Sequence, residues 1–113
     1  MFSKPLVLGS LGLVLVGCGV TEDNFGYKFA VVTCKKARNC EPDDFEDWYD
    51  DLEDCVDDFE PIFDELQDWT EIICDIDYQL ASQCYRQLRF ASCDDWEDPD
   101  WNPEACEDYV VCN

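Results

Sequence analysis

The sequence predicts an all-α fold: a small disulfide-stapled helical bundle of about four helices plus a short C-terminal helix. Three observations carry that expectation. Apolar residues recur in threes and fours along most of the chain, which is the spacing of one helix face. No segment after the leader alternates apolar and polar residues as a half-buried strand does, and no hairpin turn signal occurs. Eight cysteines (Cys34, Cys40, Cys55, Cys74, Cys84, Cys93, Cys106 and Cys112) fall in a segment too short to rest on an apolar core alone.

The first helix is expected over 26–39, where Tyr27, Ala30, Val31, Cys34 and Ala37 form a stripe. Lys35, Lys36 and Arg38 fall in its last turns and complement the helix dipole. A second helix, 42–60, starts at Pro42, whose missing N–H costs nothing in a first turn. Its apolar positions are Phe45, Trp48, Tyr49, Leu52, Cys55, Val56 and Phe59, and its opposite face is almost wholly Asp and Glu. Like charges at i, i+4 weaken such a helix by about 0.2–0.5 kcal/mol per pair, so it leans on packing and disulfides. Pro61 disfavours helical geometry at Glu60 and is expected to break or kink the chain there. A third helix then carries Ile62, Phe63, Leu66, Trp69, Ile72 and Ile73 to a turn at Cys74.

The fourth helix presents Leu80, Ala81, Cys84, Leu88 and Ala91, with Arg86 and Arg89 late in it. The stretch DDWEDPDW is expected as a loop, and a short last helix as capped by Asn102 with Pro103 at its first position.

Before all this, Lys4 precedes an apolar run from Leu6 to Val16, short of the roughly 20 residues that span a bilayer. A basic start, a short apolar core and small residues before a cut describe a secretory signal peptide. The closing Leu15-Val16-Gly17-Cys18 resembles the lipobox of bacterial lipoproteins. The resemblance implies a signal peptide over 1–17, a diacylglyceryl group on the Cys18 thiol, cleavage before it, and acylation of the new amine. It also implies delivery to the outer membrane, because Gly19 stands where an Asp would favour inner-membrane retention. Residues 18–24 are then the lipidated cysteine and a tether, and 25–113 the cysteine-rich acidic domain. The acidic, cysteine-spaced helical pattern is also similar to small cysteine-rich bacterial lipoproteins of no known function, and that similarity implies no site.

After the leader, six basic residues stand against 28 acidic ones, a net −22. That balance argues against nucleic acid and against anionic lipid surfaces, and favours basic partners or dissolved cations. The even cysteine count on an exported chain reads as four bridges. If the second helix is continuous, Cys55 lies roughly 20 Å along it. Cys40 then cannot meet it within the roughly 7 Å that a bridge allows. The up-down arrangement places Cys55 level with Cys84, which makes Cys55–Cys84 the favoured bridge, and Cys74 near Cys34 and Cys40.

Catalytic chemistry is scarce. The chain has no histidine, and only Ser82 and Ser92 follow the leader, neither in a nucleophile-elbow setting. There is no glycine-rich phosphate loop and no C-x-x-C pair. Paired carboxylates would serve a glycosidase, but these fall on solvated helix faces with nothing to make a general acid. The expected function is therefore a non-catalytic, membrane-anchored binding or envelope module, with an inhibitor or receptor for a basic protein such as a cell-wall hydrolase as the alternative.

Two features suit binding. Trp96 and Trp101 interleave with Asp94, Asp95, Glu97, Asp98 and Asp100, and either form a binding loop or fold back onto a small core. Asp98, Asp100, Asn102 and Glu104 alternate in a way that resembles the first half of an EF-hand loop, which would make a weak calcium site. Pro103 at the glycine position and Tyr109 at the closing glutamate depart from that pattern.

Overall fold

The computed structural model describes residues 19–112, and the leader and Cys18 lie outside them. Among the described residues six helices and one two-stranded ladder follow in order: α1 Phe25–Cys40, α2 Pro42–Trp48, α3 Leu52–Ile73, β1 Asp75–Ile76, α4 Tyr78–Arg89, α5 Cys93–Glu97, α6 Glu104–Asp108 and β2 Val110–Val111. The all-α expectation holds. Among the described residues no helix is long and apolar enough to cross a membrane.

α1 is the hub, with a core cluster on each side. Phe25, Phe29 and Val32 pack with Ala81, Cys84 and Tyr85 of α4 and Ala105 of α6. Ala30 and Cys34 pack instead with Phe45 of α2 and with Cys55 and Val56 of α3. α3 runs antiparallel to α1: Cys34 bonds Cys55, and Phe29 meets Phe63 with ring centroids 6.0 Å apart. The backbones approach closely at Gly26, where an added Cβ would stand 3.2 Å from the Asp64 nitrogen and collide with its carboxylate. α4 runs alongside α1 in the same direction, with Phe25 against Tyr78 and Phe29 against Tyr85. Tyr27, expected on the core stripe of α1, is exposed, and Phe25 and Phe29 take that role.

The expected break at Pro61 does not occur. α3 continues through it. Pro61 and Asp57 both lie on the exposed side, so the carbonyl that loses its intrahelical donor is left to water. Buried contacts at Cys55, Val56 and Gln67 on either side keep the helix continuous through it. The interruption falls instead at Tyr49–Asp51. There Asp51 caps α3, its carboxylate accepting from the Asp54 N–H at 2.8 Å, and Asp54 accepts in return from the Asp50 N–H at 3.4 Å. This reciprocal pair works like a capping box.

The four bridges are Cys34–Cys55, Cys40–Cys93, Cys74–Cys112 and Cys84–Cys106, with Cα separations of 5.9, 5.3, 4.5 and 4.7 Å. The expected Cys55–Cys84 bridge is wrong because the two residues belong to the separate clusters flanking α1. Cys55 also stands near the start of α3, not far along one continuous helix. Cys74, expected near Cys34 and Cys40, instead fastens the end of α3 to Cys112. That bridge flanks the antiparallel pairs Asp75↔Val111 and Ile76↔Val110, a ladder the sequence pattern did not announce.

Removing the Cys34–Cys55 bridge should cost about 3 kcal/mol, the scale for a loop of this length. Urea unfolding of Cys34→Ala/Cys55→Ala measures it, and a midpoint equal to wild type would show the bridge to be dispensable. Thiol titration of the denatured, unreduced protein is expected to find none of the eight cysteines free.

Candidate functional site

The segment expected as a tether is packed onto the domain. Val20 is buried among Phe25, Ala81 and Cys84. Its N–H donates to Ser82 Oγ at 2.8 Å, and the Ser82 hydroxyl in turn donates to the Tyr78 carbonyl at 2.9 Å, with the Val20 carbonyl 3.3 Å away. Thr21 N–H donates to Asn24 Oδ1 and Asn24 Nδ2 to the Gly19 carbonyl, closing a small turn ahead of α1. Gln67 is the one buried polar side chain among the described residues, and its amide donates both to the Glu22 carbonyl and to the Tyr78 hydroxyl, each at 2.8 Å. Tyr78 in turn donates to Glu71 at 2.9 Å. Residues 19–24 are therefore clasped from α3 and α4.

The two loop tryptophans come together. Trp96 sits on α5, a short helix within the expected loop, which Ser92 caps by accepting from Asp95 N–H at 3.1 Å. Cys40–Cys93 ties that helix to the end of α1. Trp101 follows a turn in which Asp98 accepts from the Asp100 N–H at 2.9 Å. Both rings are half-buried and line a hollow of about 320 Å³ with Phe29, Phe63, Leu88 and Tyr109. Burial pushes the Tyr109 hydroxyl above its usual pKa. The carboxylates of Asp94, Asp95, Glu97, Asp98 and Asp100 stay in solvent, so the walls of the hollow are apolar. Such a hollow takes an apolar or aromatic group, with Thr33 and Asn102 as the polar atoms at hand.

The EF-hand-like alternation does not gather into a shell. Among the described residues no three His, Cys, Asp or Glu side chains are placed to hold a metal ion. Asp98 turns back on its own backbone, and Asn102 donates to Glu107 at 2.6 Å. α6 begins only at Glu104, so neither Asn102 as cap nor Pro103 as first helical residue is found; Pro103 occupies the cap position. Glu104 lies exposed within the helix.

Two surfaces went unrecognised in the sequence. On α3, Ile62, Leu66, Trp69 and Ile73 recur at i, i+4, i+7 and i+11, and all four are exposed rather than buried as expected, with Ile72 beside them. Asp58 and Glu65 border this stripe. On α2, Trp48 is 79% exposed and lines a hollow of about 390 Å³ with Tyr49, Asp54, Asp57 and Asp58. Tyr49 donates to Asp58 at 2.8 Å, and burial together with that carboxylate raises its pKa.

No family model, no curated protein and no solved structure matches this chain.

The clasp carries a pH signature. Burial, followed by the bond to Glu71 and the negative charges of Glu71 and Glu22, outweighs donation from Gln67 and lifts Tyr78 from 10.0 to about 12. A hydroxyl that ionises later in the folded chain stabilises it fully below pH 10, and that contribution is lost as pH rises towards 12. Unfolding followed by rapid mixing is expected to show stability falling across this window, and less steeply in Tyr78→Phe. Equal slopes would detach Tyr78 from the effect.

Proposed function

We infer that the chain is a lipid-anchored, disulfide-stapled, non-catalytic binding module of the bacterial envelope, directed to the outer membrane. One observation carries the reading: Leu15-Val16-Gly17-Cys18 ends two residues before Val20, the first buried side chain among the described residues. An acyl group on Cys18 would be joined to the first docked residue by a single intervening glycine. Four bridges suit an oxidising compartment and support export. Each buried methylene adds about 0.8 kcal/mol, so three acyl chains on one residue hold where a single chain binds reversibly. Cys18→Ala should free the protein from membranes and abolish labelling by a fatty-acid analogue. Retention on membranes after a high-salt wash would refute the anchor.

A second reading, a receptor or inhibitor for a basic protein, is favoured by the exposed stripe on α3. Contiguous exposed apolar residues mark interaction surfaces, and Asp58 and Glu65 along this one suit a partner with Lys or Arg beside its apolar contacts. Capture on immobilised protein should weaken several-fold between low and high salt, since surface charges are screened within about 8 Å at physiological ionic strength. Trp69→Ala should weaken it further. Capture indifferent to both changes would remove this reading.

A further inference from the structure

All six basic residues after the leader lie on two helices: Lys28, Lys35, Lys36 and Arg38 on α1, and Arg86 and Arg89 on α4. Neither helix contains a single Asp or Glu, so all 28 acidic residues lie on other segments. The two helices pack side by side. Towards their C-terminal ends Lys35, Lys36, Asn39, Tyr85 and Arg89 line a hollow of about 200 Å³ over Val32.

Among the described residues no ion pair engages Lys35, Lys36 or Arg89. The Lys36 ammonium donates to the Ala91 carbonyl, and the Arg89 guanidinium stacks over Phe90 at 5.4 Å, so both heads are positioned by neighbours other than carboxylates. Lys35 stands on the ridge between this hollow and one lined by Glu53, Asp57 and Glu60. Three cations converging on one hollow repel one another, and an anion seated among them relieves that. Net charge does not forbid it, because screening over about 8 Å makes the local field count for more than the total.

We propose that the α1–α4 groove binds a phosphate-bearing anion, either free phosphate or the phosphodiester of a lipid headgroup. Arg89 supplies a planar fork for two phosphate oxygens, Lys35 and Lys36 supply point charges, and Asn39 and Tyr85 supply neutral donors. The proposal deepens the binding-module reading and rests on it, but it does not require acylation of Cys18.

Calorimetry on the full chain tests it, with inorganic phosphate and with glycerophosphoglycerol, each against chloride at equal ionic strength. The comparison uses wild type and two variants of equal charge change, Lys35→Gln/Arg89→Gln in the groove and Arg38→Gln/Arg86→Gln outside it. Wild type should bind at least one probe saturably. The groove variant should bind about tenfold or more weakly, the loss expected when charge-assisted hydrogen bonds are removed, and the control should stay close to wild type. Tighter binding of glycerophosphoglycerol assigns the lipid headgroup, and tighter binding of inorganic phosphate assigns the free anion. No saturable heat with either probe, or equal losses in both variants, overturns the groove. Residue-resolved acetylation of wild type needs no variant: saturating phosphate should slow modification of Lys35 and Lys36, and unchanged rates count against the proposal. A failed anchor shows in membrane fractionation and leaves these titrations untouched, so the two readings fail separately.

Discussion

The Cys34–Cys55 bridge ties α1 to a helix that is weakened by its own like charges. α3 carries nine carboxylates and no basic residue. Four pairs of them (Glu53–Asp57, Asp54–Asp58, Glu60–Asp64 and Asp64–Asp68) stand at i, i+4, which costs the helix about 1–2 kcal/mol in all. A bridge closing this loop contributes about 3 kcal/mol, enough to outweigh that repulsion. The aromatic contact of Phe63 with Phe29, with Phe59 packed beside Phe63 one turn earlier on α3, then sets the register of α3 on α1. Because α3 is fixed on one side of α1, α4 and α6 are left the other side, and the second cluster forms there around Cys84–Cys106.

Charge is separated by element as a result. α1, free of acids, is the surface on which acidic α3 packs, so the hub helix brings no carboxylates of its own to that contact. α4 also lacks acids and lies beside α1, which gathers the molecule's positive charge along one seam. The same arrangement gives the N-terminal segment its seat, because Val20 docks on Ser82 of α4 and Glu22 on Gln67 of α3.

The sequence was most legible where periodicity alone decides. The recurrence of apolar residues in threes and fours revealed α1 and α4 and the helical character of 42–73, though not its division at Asp51 or the short α5, and the even count of cysteines announced the bridges. It was least legible where partners lie far apart in sequence. Cys55 chooses Cys34 over Cys84 because α1 separates the two clusters, and no local spacing encodes that. Pro61 misled because a proline on a solvated face is tolerated when packing on both sides holds the helix. The interruption at Asp51 had a readable signal, an acidic cap three residues before another carboxylate, but it was hidden in a run of like residues. Tyr85 was absent from the expected stripe of α4 although it is buried, and Ile62, Leu66, Trp69 and Ile73 were taken for core although they are exposed. Periodicity shows that a face is apolar, but not whether this chain supplies the element that covers it. The strands β1 and β2 are two residues each, too short for any alternation to show, and exist because Cys74–Cys112 brings their backbones together.

The docked N-terminus changes what an anchor would do. A chain extends at most about 3.6 Å per residue, so Cys18 and Val20 are no more than about 7 Å apart. With Cys18 acylated as proposed, the surface around Val20 and Ser82 has no slack and must lie against the headgroups. A flexible tether would let the domain rotate and average its charges, whereas this connection fixes which face meets the bilayer. α1 and α4 both begin at that point but gather most of their basic residues towards their far ends, while α3 ends there with Asp64, Glu65, Asp68 and Glu71 in its last turns. At about 1.5 Å per residue, Lys35 and Arg89 stand about 15 Å from the ends of α1 and α4 that meet the docked N-terminus, so the basic groove would face away from the headgroups.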